Sequence, residues 1–101
     1  MKMPRKIVML MKTITNPTII SGAFYEIEKR ENEIWFFKKE NSIYHKELAL
    51  VADEDVLNHY FFEVNTDDYD NAIESYRATQ DSTWLSNLRR KVTSQYRRSF
   101  K

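Results

Sequence analysis

The hydrophobic pattern of this 101-residue chain changes period near residue 65, and that change constrains the fold more than any other feature. Before it, apolar residues alternate or gather in short β-branched runs, as half-buried strands require; after it, they recur every three or four residues, as on one face of a helix. Lys6 to Ile14 reads as a first strand that ends at the turn signal Asn16-Pro17. Thr18 to Lys29 alternates next, with Ala23, Tyr25 and Ile27 on one side and Gly22 marking a bulge or bend. Glu31-Asn32 is a hairpin tip. A two-residue loop there sets Ile27 opposite Phe36 and Lys29 opposite Ile34, so that Tyr25, Ile27, Ile34 and Phe36 share a face. After a turn at Asn41-Ser42, Ile43 to Val51 forms another strand with Tyr44, Leu48 and Leu50 on one face. Asp53-Glu54-Asp55 gives a capped helical turn, and His59 to Val64 returns to strand with Tyr60, Phe62 and Val64 alternating.

Beyond the change of period, Tyr69, Ala72, Ile73 and Tyr76 define a helix over about 67–79, capped by the Thr66-Asp67-Asp68 segment. Trp84, Leu85, Leu88, Val92 and Tyr96 define a second over about 83–99, with Ser82 as its cap. Strands followed by helices predict an α+β domain spanning residues 1–101. Its antiparallel meander of four to five strands, over about 6–64, precedes two C-terminal amphipathic helices packed on one face.

Composition removes several chemistries. Cysteine is absent, so disulfides, thiol catalysis and thiolate zinc sites are excluded. With one glycine and two prolines, the chain has no glycine-rich phosphate loop, and no cofactor is implied. The basic start before Ile7-Val8-Met9-Leu10-Met11 superficially suggests a signal peptide, but the apolar run is too short and no small-residue cleavage site follows. No run approaches the ~18 residues of a membrane helix. A cytoplasmic protein without a membrane partner is expected. Met9 or Met11 are alternative starts, which would make the first residues dispensable. The abundance of Ile, Lys, Asn, Tyr and Glu suggests an AT-rich coding sequence, as in a phage or other mobile element.

Catalytic equipment is sparse. Only His45 and His59 titrate near neutrality, and no nucleophile-elbow signature is present. Glu26 and Glu28 share one face of a strand, a pattern more typical of the wet side of a sheet than of an acid–base pair. His59 and Glu63 would meet only on a helix, and two ligands make a weak metal site. The Asp67-Asp68-Tyr69-Asp70-Asn71 cluster lacks the spacing and glycine of a calcium loop and is better read as helix capping.

Charge, in contrast, is strongly segregated. The first 51 residues are net +3, residues 52–81 net −8, and residues 82–101 net +6. The basic charges of the last helix, Arg90, Lys91, Arg97 and Arg98 with Ser94 among them, fall on the arc opposite its apolar stripe, where they could meet nucleic-acid phosphates or an acidic protein. They are equally explained as a solvated face balanced by the acidic segment. Trp35 and Phe37 point away from Ile34 and Phe36 in the hairpin register. They are either covered or form an interface with a partner, a second copy in a homodimer, or the bases of a single strand. Together these features favour a non-enzymatic binding protein, a small regulator or inhibitor acting through protein–protein contacts. Nucleic-acid binding through the basic C-terminal helix is the alternative, and a small hydrolase or nucleotide-handling enzyme the third reading.

Overall fold

A computed structural model of the chain describes residues 6–15, 18–39 and 46–99. Five strands form one antiparallel sheet: β1 (Lys6–Leu10), β4 (Phe24–Arg30), β5 (Glu33–Lys38), β6 (Glu47–Ala52) and β7 (Phe61–Val64), in the order β6-β5-β4-β1-β7. A separate two-stranded ribbon, β2 (Ile14–Thr15) with β3 (Thr18–Ile19), lies in the connection from β1 to β4. Helix α1 (Glu54–Tyr60) joins β6 to β7, and α2 (Thr66–Thr79) and α3 (Thr83–Arg98) follow. The α+β class is as expected from the sequence, and the turn at Asn41-Ser42 and His45 lie outside the described residues.

An interior strand, β1, explains the layering. On β1, Ile7 and Met9 face one way and Val8 and Leu10 the other, and all four are buried. Ile7 and Met9 join Phe24 and Val64 in a core closed by Tyr69, Ala72 and Ile73 of α2 and Leu85, Leu88 and Val92 of α3. Val8 and Leu10 join Tyr25, Ile27, Ile34, Phe36 and Phe61 in a second core, against which Val56, Leu57 and Tyr60 of α1 pack. The β4–β5 hairpin has the register its two-residue loop dictates, Ile27 opposite Phe36 and Lys29 opposite Ile34. Gly22 takes φ +96°, a left-handed turn that glycine makes without strain.

Several expectations are corrected. The segment from His59 is not strand at its start: His59 and Tyr60 complete α1, and β7 begins at Phe61. The cap at Asp53, whose side chain accepts from the Val56 amide, opens a helix rather than one turn because Val56, Leu57 and Tyr60 find apolar cover on the sheet. Nor does β7 extend the meander. It pairs with β1, so α1 crosses from one edge of the sheet to the other. Ser82 supplies no side-chain cap to α3; Asp81 does, its Oδ1 accepting from the Thr83 amide at 2.9 Å, and α2 is capped by Asn65. Finally, Trp84 is not in the α3 stripe but 45% exposed on its flank.

Candidate binding surfaces

The last helix presents its basic residues in two rows. On a 100° wheel, Arg89-Thr93-Arg97 and Arg90-Ser94-Arg98 run side by side at i, i+4, i+8, and these six residues line one shallow groove. Residues 83–98 include no acidic side chain. Arg89 is anchored at one margin: its Nε donates to the Gly22 carbonyl oxygen at 2.8 Å and its guanidinium lies 5.5 Å from the Phe24 ring centroid. Arg98 donates from Nη2 to Ser94 Oγ at 3.1 Å. Arg90 and Arg97 are exposed and have no carboxylate partner among the described residues.

Lys91 differs from its neighbours. It lies on the flank facing α2, where Nζ meets Asp68 Oδ2 at 2.7 Å. Balance by the acidic segment thus reaches one of the four basic residues singled out from the sequence and leaves Arg90, Arg97 and Arg98 facing solvent. Tyr96 turns inward, its ring packing edge-on against Phe62 at 5.6 Å, and Phe100 lies outside the described residues.

A second surface occupies the half of the sheet that α2 and α3 leave bare. Trp35 and Phe37 lie there, opposite Glu28 and Glu26 of β4. Their strand neighbours on β6 are Val51 and Leu48. Leu48 reaches this face because of an irregularity: Phe36 pairs with Leu50 and Phe37 with Leu48, so Ala49 is an extra residue, a bulge that reverses the alternation. Leu48 and Leu50 therefore point to opposite faces, contrary to the strict alternation expected of this segment. Leu48 is 45% and Val51 38% exposed, whereas Trp35 and Phe37 are half-buried. Cations roof both rings, the Arg30 guanidinium 4.0 Å above Trp35 and Lys46 Nζ 4.7 Å from Phe37. The indole Nε1 of Trp35 is shielded and meets no acceptor among the described residues.

The carboxylates nearby are committed to ion pairs. Lys46 Nζ lies 2.9 Å from Glu26 and 3.1 Å from Glu28, Arg30 lies 2.7 Å from Glu28, and the buried Lys39 lies 3.7 Å from Glu26. Hydrogen bonds from Arg30 and Lys46 hold the Glu28 carboxyl below the usual carboxylate range. Such a carboxylate is a poor proton acceptor near neutrality. Glu63 is occupied by Lys6 at 3.1 Å, and His59 is exposed on α1. A cleft of about 840 Å³ opens at the ends of β4 and β5, lined among others by Ser21, Lys38, Lys39 and Arg89. Among the described residues its lining offers cations and hydroxyls but no histidine or carboxylate. Among the described residues no group of three or more His, Asp or Glu could hold a metal ion, and no helix is long and apolar enough to cross a membrane. Comparison of the chain with protein-family models, with curated proteins and with solved structures found no match.

Proposed function

We propose that the protein is a non-enzymatic binding module, a small regulator or inhibitor that occupies a surface on another protein. Its contact is the outer face of β6 and the edge of that strand that no described strand covers. The observation that carries this reading is the position of Leu48 and Val51. They are large apolar residues on the outermost strand of the sheet, continuous with Trp35 and Phe37, on the part of the face that the helices leave uncovered.

The chemistry of an edge strand selects the occupant. Beyond β6 no described strand follows, so alternate amides and carbonyls of Glu47–Ala52 face outward as a template for one more strand. Natural edges are blunted by charge or proline, yet Glu47 is the only charge on this six-residue strand and proline is absent. An extended segment of a partner protein fits this edge. Its main chain would hydrogen-bond to β6 and its alternate side chains would cover Leu48 and Val51. The unsatisfied indole N–H of Trp35 adds a donor beside the same strip.

The test compares wild type with a Leu48→Lys, Val51→Lys variant as bait in nuclease-treated lysate. It adds hydrogen exchange on any complex recovered. A protein retained by wild type, lost by the variant, and slowing exchange at the amides of residues 47–52 supports the reading. Retention by both baits, or protection elsewhere on the molecule, overturns it. If wild type alone elutes as a dimer that the variant dissolves, the occupant is a second copy of this chain and the heterologous partner is discarded.

A further inference from the structure

We infer that the two-row face of α3 is a site for the phosphate backbone of double-stranded nucleic acid, separate from the edge of β6. The residues concerned are Arg89, Arg90, Thr93, Ser94, Arg97 and Arg98. Three features of the structure lead there.

The first is the distribution of ion pairs. Elsewhere among the described residues most basic groups meet carboxylates, Lys6 with Glu63, Lys29 with Glu54, Arg30 with Glu28, Lys39 with Glu26, Lys46 with Glu26 and Glu28, and Lys91 with Asp68, while the unpaired Lys12, Lys38 and Arg77 are not gathered on one helix face. On α3 the arginines concentrate without carboxylates, so the face keeps its positive field. Interaction of Arg97 and Arg98 with the negative end of the helix macrodipole accounts for cations in the last turn, but not for Arg90 two turns earlier.

The second feature is the kind and spacing of the groups. All four cations of the two rows are arginine, whose planar fork donates to two oxygens of one phosphate, and the hydroxyls of Thr93 and Ser94 lie between them. From residue 89 to residue 98 the helix advances about 13 Å. Measured along the duplex axis, where one strand presents a phosphate about every 3.4 Å of rise, that length corresponds to three to four phosphates.

The third feature separates duplex from single strand. Single-strand sites pair their basic groove with aromatic rings on which bases stack. No aromatic side chain lines this groove among the described residues; Tyr96 packs edge-on against Phe62 and lines instead the adjoining hollow beside Arg89 and Arg97, where one ring held by Phe62 makes no row for successive bases. Backbone contact without base stacking is what a duplex offers. The acidic α2 adjoins the Lys91 flank, so the duplex would approach from the side of Arg89 and Arg97.

The experiment is fluorescence anisotropy with a labelled 20-base-pair duplex of arbitrary sequence, titrated between 50 and 200 mM salt. It uses wild type, an Arg90→Ala, Arg97→Ala, Arg98→Ala variant, and Lys91→Ala. Three to four neutralised phosphates predict a log–log slope near −3, so wild-type affinity should fall roughly 40- to 150-fold over this range. The triple variant should lose most of that slope, up to ~0.9 per arginine, and Lys91→Ala should lose less than a third of what the triple variant loses. Far-UV circular dichroism establishes that the variants are folded; the three arginines are exposed, and Arg89 is left intact because it also fastens α3 to the sheet. No wild-type binding at 50 mM salt, or a slope unchanged in the folded triple variant, overturns the inference. Competition by polyglutamate as strong as by unlabelled duplex also overturns it, because the face then recognises carboxylates. Tighter binding of a single strand than of the duplex overturns it likewise. Leu48→Lys, Val51→Lys protein should bind the duplex at least as well as wild type, so failure at β6 and failure here are read separately.

Discussion

Arg89 Nε donates to the carbonyl oxygen of Gly22 at 2.8 Å, joining the middle of α3 to the turn that leads into β4, 67 positions away. The two residues contribute by different means. Gly22 allows the left-handed turn at φ +96°, and a Cβ there would sit 3.9 Å from Arg89 Cδ and Nε, an ordinary contact. Replacing Gly22 by Ala should therefore cost about 1–2 kcal/mol through the backbone rather than through crowding. Arg89→Ala should cost about 1–3 kcal/mol, because a part-buried carbonyl loses its charged donor. Urea denaturation measures both. A loss below ~0.3 kcal/mol for Arg89→Ala would show that water satisfies the carbonyl equally well.

Leu88 is 6% exposed between α2, α3 and the sheet. Truncation to Ala removes buried methyl groups and leaves a cavity, so Leu88→Ala should lower stability by about 2–5 kcal/mol. Trp84, one turn earlier, is mostly in water, and Trp84→Phe should change stability by less than ~0.5 kcal/mol. Denaturation midpoints in the reverse order would contradict the assigned face of α3.

The Glu28–Arg30–Lys46 cluster predicts how stability varies with pH. The folded Glu28 carboxyl lies below its ordinary value, so its contribution is fully present above about pH 5 and lost as pH falls through the folded value. Lys46 is raised, chiefly by its hydrogen bond to Glu26, so its contribution is present at neutral pH and lost as pH rises through the folded value, above ~10. With side chains 35% and 37% exposed, each contribution is limited to about 0–1 kcal/mol and weakens in salt. Glu28→Gln should flatten part of the acid limb of a thermal-melting profile and leave the alkaline limb nearly unchanged. An acid limb identical to wild type would mean that the cluster contributes nothing to folding.

A chain starting at Met9 should not fold cooperatively. It lacks Ile7 and Val8, which are 0% and 2% exposed and fill opposite faces of the interior strand β1, and it loses their pairs with Glu26, Tyr25, Glu63 and Val64. Each such side chain contributes about 1.5–3 kcal/mol when buried, a large share of the 5–15 kcal/mol that holds a small domain together. Near-UV circular dichroism of the truncated protein checks this, and a sharp native-like melt would show that β1 is dispensable. Of the described residues that a start at Met9 would omit, Ile7 and Val8 belong to the core.

The charge of α3 was legible as a pattern but not as a site. The spacing of Arg90, Ser94, Arg97 and Arg98 already placed them on one arc; that Lys91 alone is neutralised depends on where α2 lies against α3, a through-space relationship with Asp68. For Trp35 and Phe37 the hairpin register fixed their shared face. Which part of that face the helices would reach, and that Arg30 and Lys46 would roof the rings, depended on packing.

Sequence by itself determined the features that arise from local geometry. The two-residue loop at Glu31-Asn32 set the register of β4 on β5, the spacing of Leu85, Leu88 and Val92 selected the inward face of α3, and the pattern change near residue 65 separated sheet from helix pair. Tertiary structure decided what local preference leaves degenerate. A seven-residue helix is marginal alone, so α1 exists because Val56, Leu57 and Tyr60 bury against the second core. By crossing the sheet it delivers β7 to the edge of β1 rather than to β6. One extra residue in a strand costs little locally but inverts every side chain beyond it, so the bulge at Ala49 placed Leu48 beside Phe37 and left β6 as the exposed apolar edge.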